Sequence, residues 1–141
     1  MRPWVVLLLA STAIGQPQYK PQPYGNLWQV MRTVALPNSN IIFEVQSKTP
    51  KNEMEWRVVE NAAAGIEETA NLILMPGRLL SNGKPVPVQA AEYVKFAQAL
   101  VPAGKDCLKA ARMKSPDAVS NCTDSLSQAC DNCHNVYRDK H

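Results

Sequence analysis

Cys130, Cys133 and His134 stand together in the stretch SQACDNCHNVYRDKH, near the C-terminus of a 141-residue chain that holds four cysteines and two histidines. On a helix, thiols three residues apart share a face, and a histidine four residues after the first lies on the same side. Three chemistries could use this set. Two thiols can add to the two vinyl groups of a haem while the next imidazole reaches the iron, which is the physical reason for the CxxCH spacing of c-type attachment. Zinc needs a fourth ligand, usually from a second CxxC or a His pair. The other candidates, His141, Cys107 and Cys122, stand at no such spacing. A redox dithiol normally opens a helix after a strand in an α/β fold, whereas this motif closes the last helical segment of a chain with no convincing strand pattern. The spacing therefore favours one covalently held haem.

Four amphipathic segments must position these residues. The first carries Leu27, Met31, Val34, Ile41 and Val45 at helical steps, with Pro37 predicting a kink or break and Asn38 or Ser39 capping the resumed turn. The second runs from about Asn52 to Met75, with Met54, Val58, Ala62, Ile66, Thr69 and Ile73 on one face, and stops at MPGR. The third runs from about Val88 to Met113 through Ala91, Val94, Leu100, Val101, Leu108 and Ala111, with VPAG at 101–104 kinking or splitting it. The fourth begins at Ser115 as N-cap with Pro116 in the first helical position. Its stripe, Val119, Cys122, Leu126, Ala129, Cys133 and Tyr137, is the cleanest in the chain. The run PVPV at 85–88 is cut by prolines and makes a poor strand. The expected fold class is all-α, an antiparallel up-down-up-down four-helix bundle over residues 25–141.

CDNCHNVYR at the end of such a chain resembles the class II c-type cytochromes, the cytochrome c′ family, whose CxxCH is followed by an aromatic residue and then a basic one. Tyr137 and Arg138 fill those places. The resemblance covers the mature chain in architecture and residues 130–138 in motif. It implies a haem-binding bundle, thioethers at Cys130 and Cys133, and His134 as the proximal ligand. Arg138, one turn on, would lie near the proximal side, where it also opposes the helix dipole.

Family members divide by what faces the iron opposite the histidine: a methionine gives a six-coordinate electron carrier, and an apolar residue leaves the iron open to small gases. Along the helices, at 1.5 Å per residue, Met31 falls at nearly the level of His134. Met75 lies at the extreme tip of that end, and Met54 and Met113 at the opposite end, as core filler. Met31 is thus the expected sixth ligand. Many members carry an arginine four residues before the distal position; here that residue is Leu27, and Arg32 follows Met31 instead, about 100° away on the helix but within reach of a propionate. Leu27 or Val34 facing the iron would leave it five-coordinate.

Cys107 and Cys122 flank the turn near Lys114 and Ser115 at similar distances. Facing positions of a helical hairpin can approach closely enough for a disulfide, which would anchor the end of the bundle far from the haem.

The N-terminus, MRPWVVLLLASTAIGQ, places a basic residue before an apolar run from Trp4 to Ala10 and then small residues. This is the pattern of a signal peptide over residues 1–15, cleaved after Gly15 or Ala13, and the run is too short to span a membrane. Residues 16–24, rich in Pro and Gln, read as a flexible segment. Export to the periplasm, or otherwise out of the cytoplasm, permits both the disulfide and haem attachment. With 45% hydrophobic and 19% charged residues and a net charge of +3, the composition is that of one soluble domain and gives no case for nucleic acid. The expected function is single-electron transfer by a monohaem cytochrome, with binding of nitric oxide or carbon monoxide as the alternative. Enzymatic peroxide chemistry is disfavoured, because no histidine besides His134 and the terminal His141 exists. The redox partner is not specified by any motif; the resemblance makes a homodimer through the first two helices an expectation.

Overall fold

Three of the described helices start where a side chain satisfies one of their first amides. Asn26 accepts a hydrogen bond from the Gln29 amide at 2.9 Å, and the Gln29 side chain accepts one from the Asn26 amide at 2.8 Å. This reciprocal cap opens α1, residues 27–46. Asn52 caps α2, Glu53–Ile73, through the Glu55 amide at 3.0 Å. The third helix, α3, spans Ala91–Arg112 without a side-chain cap. Ser115 caps α4, Pro116–Tyr137, through the Ala118 amide at 3.2 Å, and Pro116 occupies the first turn, where its missing amide costs nothing. The computed structural model describes residues 18–138; the expected leader and its cleavage sites lie outside the described residues. The described residues are all-α, with four helices. Among the described residues there is no strand, only an isolated antiparallel bridge between Leu79 and Pro85. No described helix is long and apolar enough to cross a membrane. Residues 18–24 carry no regular secondary structure.

Pro37 does not break α1. The helix continues through it, because Met31–Ala35 form a π turn in which the Leu36 amide bonds the Met31 carbonyl, five residues back. The wider turn gives the proline ring room that the carbonyl of residue 33 would deny it in a regular α-helix. Asn38 and Ser39 therefore cap nothing. Asn38 Nδ2 donates back to the Val34 carbonyl at 2.9 Å, and Ser39 Oγ donates to the Leu36 carbonyl at 3.0 Å. The extra residue also displaces the expected apolar stripe. Val30, Ser39, Ile42 and Val45 are buried, while Leu27, Met31, Val34 and Ile41 are only half-buried. Pro102 likewise leaves α3 in one piece.

The longer helices pack through small residues. Ala62 and Ala63 of α2 and Ala97, Ala103 and Gly104 of α3 are buried. A side chain at Gly104 would place its Cβ 2.6 Å from Glu67 Cγ and 3.0 Å from the Ala63 carbonyl. The core face of α3 thus runs through Tyr93, Ala97, Leu100, Ala103 and Cys107, rather than through the expected Val94, Val101 and Leu108, and Ala91 is exposed. Met54 and Met113, expected to fill the core, are 77% and 57% exposed, and Val58 is exposed as well; Trp56 and Val59 turn inward there, while Ala62, Ile66, Thr69 and Ile73 are buried as the spacing requires. We expect Gly104→Ala to be destabilising. Overpacking against backbone costs about 1–3 kcal/mol, which outweighs the roughly 1 kcal/mol that alanine gains in helix propensity. A lower urea midpoint measures this; an unchanged or higher one would mean that α2 and α3 part at no cost.

Helices α3 and α4 run antiparallel. Cys107 is bonded to Cys122 (Cα–Cα 5.3 Å), and Tyr93 meets Tyr137 edge-on at 5.1 Å, so pairs along the two helices keep one register. Lys114, in the left-handed region at φ 53°, makes the reversal between them. The connection from α2 to α3 folds back over the other end. Arg78, only 4% exposed, holds it there. Its Nε donates to the Leu72 carbonyl at 2.8 Å, Nη1 donates to the Gly25 carbonyl, and Nη2 lies 3.9 Å from Met75 Sδ. The Leu27 amide bonds the Leu79 carbonyl at 2.8 Å, tying the start of α1 to the same loop.

Candidate functional site

The residues singled out by type and spacing come together. Cys130, Cys133, His134, Tyr137 and Arg138, all at the C-terminal end of α4, line one cavity of about 450 Å³. Met31 lines it from α1. This volume lies within the range of sites that enclose a small molecule. The cavity sits where the ends of α2 and α4 and the start of α3 meet, against the side of α1. Its inner wall is apolar: Ile66 and Ile73 from α2, Leu100 and Phe96 from α3, and Ala129 from α4. Leu80 and Ser81 of the connecting loop close one side. Leu27 reaches the cavity beside Met31; Val34 does not line it.

The helix spacing of the pentapeptide does what the sequence requires of it. Cys130, Cys133 and His134 are each half-buried on the cavity face of α4, whereas Asp131 and Asn132 between them are exposed. Neither thiol is disulfide-bonded. Burial and its neighbour Cys130 push the Cys133 thiol up to about 11; burial, then Asp131, raises Cys130. Both are thus neutral thiols near pH 7. A redox-active dithiol needs the opposite, a thiolate stabilised below the ordinary range. Burial, then the Arg138 charge, lowers His134, which favours a neutral imidazole with a lone pair to offer.

The charge on the walls is of one sign. Arg32 and Arg138 are the charged side chains among the lining residues, and both are exposed at the rim. Arg32 lies over the Trp28 ring at 5.6 Å from its centre, a cation–π contact that holds the guanidinium at the opening. A cavity with apolar walls, two cations and no carboxylate suits a ligand with an apolar body and an anionic edge. It is poor ground for a dication such as zinc. Among the described residues, no three His, Cys, Asp or Glu side chains converge as a metal site.

Tyr137 is fixed at both ends. Its ring meets Tyr93 edge-on and lies 6.2 Å from Phe96, and its hydroxyl donates to Glu92 Oε2 at 3.2 Å. Tyr93 is itself anchored by a bond from its hydroxyl to the Ile73 carbonyl at 3.2 Å. This aromatic cluster sets the last turn of α4 against the first turn of α3. Sequence reasoning missed Tyr93, Phe96 and Trp28. Their only signal was aromatic character in a chain that is 6% aromatic, which by itself places no residue at a site. The pocket residues Leu80 and Ser81 carried no signal, because they arrive on a loop.

No protein-family profile, no curated protein and no solved structure matches the chain.

Proposed function

We propose that the chain is a monohaem c-type cytochrome that transfers single electrons, exported and built as the antiparallel up-down-up-down four-helix bundle that its resemblance to the cytochrome c′ family implies. One observation carries the reading: two half-buried neutral thiols, an imidazole and a thioether line the same apolar cavity. The residues fit the group. Cys130 and Cys133 would hold it by thioether bonds, each S–H adding across a vinyl C=C so that sulfur bonds one carbon and the hydrogen ends on the other. His134 would offer its imidazole to the iron and Met31 its sulfur. Haem bound there supplies a one-electron ferric–ferrous couple, and a thioether opposite a histidine raises its potential. Arg32 and Arg138 are placed to meet an anionic edge at the rim, and the isoleucine and leucine walls exclude water. His134 and Met31, held on two helices, would have little to rearrange when the charge of a bound haem changed, which suits a carrier rather than a catalyst.

A second reading has its own support. Leu27 lines the cavity beside Met31, so an apolar side chain is available to face the iron. A site of that kind would be five-coordinate and would bind nitric oxide or carbon monoxide.

The ferrous optical spectrum with and without carbon monoxide separates the two. For the carrier, we expect a low-spin spectrum that carbon monoxide leaves unchanged, and a Met31→Ala variant that carbon monoxide shifts at once. A parent protein that is high-spin and shifts immediately would overturn Met31 as a ligand and establish the gas-binding reading.

A further inference from the structure

The apolar stripe of α1 contains one irregular step. From Leu27 it passes through Val30 and Val34 to Ser39, Ile42 and Val45, by three, four, five, three and three residues. The five-residue step crosses the π turn at Met31–Ala35. A regular α-helix places neighbours three or four residues apart on one face, so each added residue rotates what precedes it by about 100°. Continued as plain α-helix back from Ile42, the stripe would pass through Ala35 and Met31, which stands eleven residues, about three turns, before Ile42, so Met31 would face the core and Arg32 the cavity side. The π turn puts Val30 into that line instead and swings Met31 about 100° from it, onto the cavity wall beside Leu27.

Two features hold the turn. Pro37 has no amide to donate, and its ring would meet the carbonyl of Thr33 in a regular helix. Asn38 then turns its side chain back to bond the Val34 carbonyl. That side chain is seated on Gly65 of α2, where an added Cβ would come 2.4 Å from Asn38 Nδ2 and 2.8 Å from its Cγ. Pro102 shows that a proline alone is not sufficient, since α3 passes through it without a π turn. The side-chain bond and the glycine seat distinguish the first helix from the third. π turns of this kind recur at functional sites, where the extra residue re-aims a side chain.

We infer that Pro37 and Asn38, with Gly65 as their seat, are positioning residues that aim Met31 at the iron. The inference rests on the carrier reading, in which Met31 is the sixth ligand. Neither Pro37 nor Asn38 would touch the haem; both act through the register of α1.

The test uses the full haem-loaded protein and three variants: Met31→Ala, Gly65→Ala and the double variant Pro37→Ala, Asn38→Ala. The readouts are the ferric thioether-to-iron charge-transfer band, the extent of carbon monoxide binding by the ferrous form, and helicity by circular dichroism. The double variant replaces two poor helix formers by the best one, so it has every reason to fold. The expected result is helicity at or above the parent's, loss of most of the charge-transfer band, and carbon monoxide binding that approaches that of Met31→Ala. Gly65→Ala, which unseats Asn38 while leaving α1 unaltered in sequence, should show the same change in part. If the double variant keeps the parent's band and stays closed to carbon monoxide while Met31→Ala loses both, the positioning role is wrong and the carrier reading stands. If the parent itself lacks the band and binds carbon monoxide, the carrier reading falls and takes the inference with it.

Discussion

A chain in which Cys130 and Cys133 are both replaced by alanine should yield no protein that keeps its colour through denaturing electrophoresis. The effect is all-or-none, because only covalent bonds survive unfolding in detergent, and on our reading these two sulfurs make them. The parent chain, exported alongside haem-maturation machinery, should keep its colour in the same gel. Each single variant keeps one bond and should stay coloured, with its absorption moved to longer wavelength by the vinyl group left in conjugation. The alternatives differ sharply here. A dithiol would make the parent colourless and open to alkylation under reducing conditions. A zinc site would make it colourless with one metal ion per chain. Colour that survived in the double variant, or a parent with no bound haem at all, would overturn the proposed function. The geometry favours the first outcome, since the two thiols share the cavity face of α4 and burial keeps both protonated.

The second large effect lies at the other end of the same hairpin. Replacing Cys107 and Cys122 together by alanine should destabilise the protein by about 3 kcal/mol, the value expected for a closed loop of about 15 residues. The sequence separation of the bonded pair is 15. For a domain of this size, that loss lowers Tm by about 10 °C. Both cysteines are buried, so the space left by the sulfurs adds to the loss. The spectrum should not change. Cys122 stands eleven residues before Cys133, and along a helix this separates them by about 16 Å. Calorimetry of the variant against the parent measures the first part and the ferric spectrum the second. A small change in Tm would mean that the turn at Lys114 already holds the hairpin. A change in ligation would mean that strain passes along α4 to the haem residues.

The sequence and the structure agree best where one residue type has one physical meaning. Ser115 before Pro116 can do little but start a helix, and it caps α4. The stripe Val119, Cys122, Leu126 and Ala129 is buried as its spacing requires. The facing cysteines are bonded, and the CxxCH residues and Met31 reach one cavity. Legibility fails where side-chain size hides the answer. In α3 the buried face includes Ala97, Ala103 and Gly104, because α2 comes too close at Gly104 to admit larger groups, so the larger Val94 and Leu108 mislead. Met54 and Met113 mislead in the same way: flexible apolar side chains that the core had no need of. In α1 the reading assumed a period that Pro37 and Asn38 alter by one residue, and no periodicity search allows for that. Arg78 was invisible because its partners are backbone carbonyls, which any sequence supplies.

That arginine sets the longer of two closures in the fold. It joins Gly25 to a residue 53 positions further along the chain, whereas the disulfide joins positions 15 apart. The entropy lost in closing a loop grows with the logarithm of its length, so the longer closure costs about 1 kcal/mol more. The α3–α4 hairpin is therefore the less costly closure, and it carries both cysteines that would bond haem covalently on the proposed reading. The first helix and the loop over the cavity belong to the long-range closure. Those two elements are the side of the cavity that the hairpin does not supply, so the covalent and the covering halves of the candidate site are held by contacts of different chain length.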